Sequence, residues 1–334
     1  MNRRELEAYT SLEQVAGFTR VQLCDGLEKD VEIIEVRTGS GLRFGVCPSR
    51  GLDITFAELN GQNLTWRHPN GVIHPHLYSE NNFGWLRGAA NGLLTTCGLQ
   101  SFGPPCESEG EVYGIHDRYA YLPAREVSTR KIEEEGELIF EISGTIRQTR
   151  LFGANLRLER TLSATYGENK LRLRDVIIND GFESAPFCVL YHCNFGFPLL
   201  EEGSEVIIDS KVTARDEDAQ RGVETWAQVY KPQVGFKEQV FFHEITPDEH
   251  GYLQASLWNG ARNLGVKLNF PAAQFPNFTQ WKMLGAGAYV MGLEPSNAPL
   301  ASRCELLERG EMPALEAGES REFDIEWEFL SERP

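Results

Sequence analysis

At 334 residues the chain is long enough for two domains or for one large β domain. Its 41% hydrophobic and 10% aromatic residues suffice for a sizeable core and argue against disorder. A formal net charge of −17 makes a polyanionic nucleic acid or an anionic membrane surface a poor partner, and points to a neutral substrate or to one held in a locally basic pocket.

The N-terminal stretch Met1–Glu7 lacks the apolar core of a signal peptide, and no apolar run approaches membrane-spanning length. The seven cysteines are odd in number and contain no C-x-x-C pair, which fits free thiols in a reducing cytosol better than a disulfide framework. A cytoplasmic protein is expected. Within residues 1–17 the pattern Ser11-Leu12-Glu13-Gln14 has the form of a capping box, so a short helix is predicted there, ended by Gly17.

Beyond that point sustained helical periodicity is almost absent, and short strand patterns recur. They cover 31–36, 42–46, 138–142, 155–162, 171–178, 187–195 and 205–208, then 239–243, 252–258, 264–270, 278–283, 288–293 and 321–329. Gly39-Ser40-Gly41, Asn60-Gly61, Asn179-Asp180-Gly181 and Asn259-Gly260 supply turns. Arg157, Glu159 and Thr161 alternate with Leu156, Leu158 and Leu162, as in a half-buried antiparallel strand. With no linker and no repeat, the expected fold is all-β: one large antiparallel β-sandwich spanning residues 1–334. The acidic run Glu133-Glu134-Glu135 reads as a solvated loop between strands.

Several stretches carry residues suited to chemistry. In Cys47-Pro48-Ser49-Arg50-Gly51-Leu52-Asp53, Pro and Gly suggest a tight turn that aims Arg50, with a buried Arg50–Asp53 pair as the structural alternative. Residues 66–118 depart from the strand pattern and are rich in Gly, Asn, His, Pro and aromatics, including Trp85, Arg87, His116 and Arg118. Such loops on a rigid β scaffold are where binding concentrates; aromatic rings stack on the C–H faces of sugars while Arg, Asn and His bond hydroxyls. His116 and Arg118 can share one face of an extended chain.

The strand ending Tyr191-His192-Cys193-Asn194 sends His192 and Asn194 to one face, and histidine can exchange a proton near neutrality. Taken alone, such a histidine is as a rule a hydrogen-bonded core residue. Glu294, at the end of the apolar stretch Ala288–Leu293 and braced by Pro295, suits a general base; an ordinary strand-end glutamate is the plain alternative. His74-Pro75-His76 together with His116, His192 or Glu294 would suit a transition metal, although an H-x-H pair alone is a weak signal.

In order and spacing, Pro48–Ile54, Gly92–Leu99, Gly114–Arg118, Leu190–Gly196 and Leu293-Glu294-Pro295 resemble the aldose 1-epimerase (galactose mutarotase-like) superfamily, in particular its DUF4432 branch. The resemblance implies a large twisted β-sandwich with a sugar site on one sheet, and an isomerase that interconverts sugar anomers through ring opening. By that resemblance Glu294 takes the proton of the anomeric hydroxyl and His192 protonates the ring oxygen. His116 corresponds to a second pocket histidine, and Arg118, Arg50 and Arg87 are candidates for hydroxyl or anion contacts beside Asn194 and Trp85. It implies no metal and no organic cofactor.

The loops at Asn91–Cys97 and Ile115–Arg118 depart from the Gly-Arg-Tyr and Leu-His-Gly-Gly patterns of the superfamily, so its galactose or glucose preference does not carry over. Asp117 would place an anion near the pocket unless it faces the core and pairs with an arginine. The expected partner is a small-molecule sugar, with an anionic sugar and a homodimer left open. Two other readings stand beside this one: a metal-dependent sugar isomerase or epimerase acting at another carbon, and a non-catalytic carbohydrate-binding protein.

Overall fold

The computed structural model describes residues 3–89 and 92–334. Eleven strands form the larger sheet, which runs Ala16–Gln22, Glu32–Thr38, Leu42–Cys47, Asp53–Leu59, Leu94–Leu99, Cys188–Phe195, Ala288–Ser296, Asn277–Gly285, Gln239–Ile245, Ser210–Ala214, with Gln62–Asn63 hairpinned onto the fourth. The second has eight, in the order Glu205–Ile207, Tyr252–Asn259, Leu264–Pro271, Ser320–Leu330, Lys170–Asn179, Asn155–Thr165, Glu137–Thr149, Arg125–Glu134. The ladders between these strands are antiparallel. Asn60 and Gly61 both take positive φ (51° and 77°) between paired Leu59 and Gln62, the twist a two-residue hairpin needs.

Alternation decides which side chains meet between the sheets. Along Asn155–Thr165, Leu156, Leu158, Leu162 and Ala164 point inward and join Phe44, Phe140, Leu173, Tyr191 and Trp327 in one apolar cluster. Arg160 sits in the same inward row and is buried. Its guanidinium takes Asp175 with two bonds of 2.9 and 2.7 Å, Asp53 at 2.8 Å and the Thr96 hydroxyl at 2.8 Å, joining the two sheets. The alternative of a buried Arg50–Asp53 pair is not what forms: Asp53 faces the sandwich interior and pairs with Arg160.

The N-terminal expectation holds in part: residues 1–17 contain a short helix, but not the capping box or the Gly17 end. A helix spans Arg3–Glu7 and a 3₁₀ turn Leu12–Gln14, but Ser11 makes no side-chain cap bond, and Gly17 lies inside a strand rather than at a helix end. Glu133 and Glu134 end a strand; Glu135 alone of that run lies in the turn. All seven cysteines are free. Among the described residues, no helix is long and apolar enough to cross a membrane.

The excursion between Asn63 and Arg125 covers the outer face of the larger sheet, the face turned away from its partner sheet. Ile73, Trp85, Phe102 and Tyr121 pack there on Cys97, Cys188 and Leu190 in a second apolar cluster. This layer encloses the middle of the sheet, where the site residues lie.

Candidate active site

The Cys188–Phe195 strand is buried on both sides. Val189, Tyr191, Cys193 and Phe195 enter the sandwich core, so Cys188, Leu190, His192 and Asn194 take the outer face. The pairs Cys193–Leu293 and Asn194–Gly292 set a register that carries His192 opposite Glu294, with Thr95 on its other side. His192 Nε2 and Glu294 Oε1 stand 3.2 Å apart, with side chains only 7% and 4% exposed. The approach lies within ion-pair range but off the line of a hydrogen bond, so Oε1 has no hydrogen-bond donor. Glu294 folds back over Gly292, where a Cβ would stand 2.3 Å from Oε1.

Around this pair the His116 ring lies 5.6 Å from His192, the Trp281 ring 5.5 Å from it, and the Trp85 ring 4.6 Å from His116, all edge-on. Trp281 is fixed by its Nε1, which donates to Glu238 at 2.9 Å; Glu238 in turn accepts from Arg215 at 2.9 Å. Five buried polar atoms converge here without a hydrogen-bond partner: Trp85 Nε1, His116 Nδ1, His192 Nδ1, Asn194 Oδ1 and Glu294 Oε1. Each such atom costs roughly 1–3 kcal/mol, and a cluster of them is the signature of a face built for a polar ligand.

Burial dominates the electrostatics. It pushes the Glu294 carboxyl up to about 8, aided by the negative charge of Glu238. It pushes His192 down to about 3, with His116 adding to the effect, and His116 itself down to about 4. Burial thus favours the uncharged form of both groups, the carboxyl protonated and the imidazole neutral.

His116 is aimed by its neighbours. It and Asp117 both adopt left-handed backbone, with φ of 61° and 53°. Asp117 turns away from the site and accepts from Gln148 Nε2 at 2.7 Å and from the Gln100 amide at 3.1 Å. Burial raises its carboxyl to about 6.

The arginines do not join this constellation. Arg50 is buried beneath the excursion; it donates to the carbonyls of Ala120, Gly88 and Ile73 and stacks on Tyr121 at 4.3 Å. There it braces the excursion. Arg50→Met is expected to lower the unfolding free energy by about 3 kcal/mol in urea titration, because three buried carbonyls lose a charged donor. Arg118 is held by Glu80 and Glu111, and Arg87 is exposed on the outer surface of the excursion.

His74 and His76 pair with each other, rings 4.6 Å apart. Among the described residues, no group of three or more His, Cys, Asp or Glu is arranged for a metal ion. Asn91 lies outside the described residues. Sequence reasoning missed Trp281, Glu238 and Arg215. Trp281 lies on a strand that is legible in sequence, but only the folded register places it across from Gly292, two residues from Glu294.

Solved structures with this architecture are numerous. A provisionally assigned aldose 1-epimerase from Klebsiella pneumoniae subsp. pneumoniae MGH 78578 superposes with a TM-score of 0.87 at 25% identity, covering 97% of this chain and 89% of that one. A galactose mutarotase-like protein from Clostridium acetobutylicum gives 0.67 at 12% identity over 95% and 99% of the two chains. Galactose 1-epimerase from Lactobacillus acidophilus gives 0.57 at 13% identity over 95% and 100%. No curated protein matches the sequence. The fold is thus the galactose mutarotase-like β-sandwich. Residues 28–329 match the family described as "Domain of unknown function (DUF4432)", and the chain belongs to that family.

Proposed function

We propose that this protein is a carbohydrate epimerase of the aldose 1-epimerase kind, with His192 and Glu294 as its acid–base pair. The observation that carries the reading is their 3.2 Å approach on one buried sheet face, amid polar atoms that lack a hydrogen-bond partner. Ring opening of a cyclic sugar needs such a pair. A base takes the anomeric hydroxyl proton, C1–O1 becomes a carbonyl, the C1–O5 bond breaks, and O5 receives a proton. Rotation about C1–C2 and the reverse steps give the other anomer.

A sugar hydroxyl donating to Glu294 favours the carboxylate, so the carboxyl proton passes to His192, which then serves O5. His116, Asn194 and Trp85 offer hydrogen bonds to the remaining hydroxyls, and Trp281 offers an apolar face. Arg50 and Arg118 are engaged by protein groups, which supports a neutral sugar over an anionic one.

The pH profile tests the protonation state of the pair. Above about 8 the pair loses its last proton, and below about 3 it gains a second, so kcat/KM is expected to be flat through neutrality and to fall above pH 8. Activity that keeps rising from pH 7 to beyond the Glu294 value would contradict a one-proton pair.

A further inference from the structure

At one end of the eight-stranded sheet, two turns lie side by side, joined by a 2.9 Å bond from the Asp180 amide to the Asn155 carbonyl. They present Leu151, Phe152 and Phe182 at 82%, 95% and 98% exposure. Phe152 does so in left-handed backbone, φ 61°, an unusual conformation for a bulky side chain. These knobs form one wall of a groove of about 1090 Å³ that runs between the two turns and the hairpin ending at Tyr113.

We infer that this face is the interface of a two-fold homodimer, in which Phe152 and Phe182 of one copy fill the groove of the other. Three observations select a second copy. Knob and groove sit on the same patch, as an isologous contact requires. The charges are balanced locally: Asp180 pairs with Arg147 and Arg157, and Arg150 with Glu111. On a chain of net charge −17, such a neutral patch is where two copies can meet with little repulsion, while a strongly charged partner finds no field to recognise. The area also suits: each phenylalanine can bury about 150–250 Å², so the two supply the apolar centre of an interface of about 800 Å² per partner.

Sedimentation velocity of the full, untagged chain over a concentration series decides. The expected species has twice the 37.6 kDa mass of one chain. Phe152→Asp combined with Phe182→Asp is expected to raise the dimer dissociation constant about 100-fold or more while each chain keeps its native circular dichroism, since aspartate tolerates the left-handed turn at position 152. The milder pair Leu151→Ser and Phe182→Ser should shift the equilibrium in the same direction. A wild-type chain that stays monomeric at its highest soluble concentration overturns the proposal, as does a folded double-aspartate variant that remains dimeric.

Discussion

Glu294→Gln is expected to slow anomer interconversion by about 10²–10⁴-fold, the usual contribution of a positioned acid or base, while making the fold more stable at alkaline pH. Glutamine keeps the shape of the side chain over Gly292 but exchanges no proton. The stability change follows from the carboxyl titrating at about 8 in the fold against about 4.5 when unhindered. A carboxyl raised on folding leaves stability intact below its unfolded value and lowers it as pH climbs to the folded one. Below about pH 4.5 both states are protonated, so variant and wild type differ little for this reason. Above that the unfolded chain ionises first, and the penalty grows until pH passes about 8, where it levels at roughly 3–5 kcal/mol. Urea denaturation near pH 5 and near pH 9 measures it. A variant no more stable than wild type at the alkaline end would show that Glu294 is not held neutral by burial.

The second large effect concerns Arg160. Arg160→Met leaves Asp53 and Asp175 buried without their shared cation, and a loss of about 3–5 kcal/mol is expected. Asp53→Asn should cost much less, because the two-bond Arg160–Asp175 pair persists and burial already raises the Asp53 carboxyl above its usual range. The cluster stands directly behind the site. Tyr191, which precedes His192, donates to Asp175 at 2.8 Å, and Thr96, which follows Thr95, donates to Asp53 at 2.7 Å. Loss of Arg160 is therefore expected to reduce kcat along with stability. Equal stability of the Arg160→Met and Asp53→Asn proteins in urea would contradict this account of the cluster.

The sandwich was legible because most of its strands alternate or end in turn residues, as Asn155–Thr165 and Asn60-Gly61 show. The Leu94–Leu99 strand was not, since its Leu-Thr-Thr-Cys-Gly-Leu sequence is buried on both faces and shows no period. Arg125–Glu134 is an edge strand whose mostly exposed, charged residues hide it. Within the site, His192 and Glu294 could be named from strand-end chemistry and from the family resemblance, while their 3.2 Å approach depends on a strand register that no local pattern prints. Arg50 misled for a physical reason: a cation in a Pro/Gly turn looks free in sequence, yet three carbonyls of a distant loop satisfy it. Arg160 escaped notice because one charged residue in an inward row reads as noise until Asp53 and Asp175 are seen around it.

The proposed chemistry moves protons on a sugar through His192 and Glu294. Exchange spectroscopy of the α and β anomeric protons, over a panel of neutral sugars that raise the melting temperature, tests it most directly. Faster anomer exchange is expected with the wild-type protein than in buffer, and loss of that acceleration in both His192→Ala and Glu294→Gln while each stays folded. Sugars that bind yet exchange no faster than in buffer, or variants that keep the wild-type rate, would contradict it.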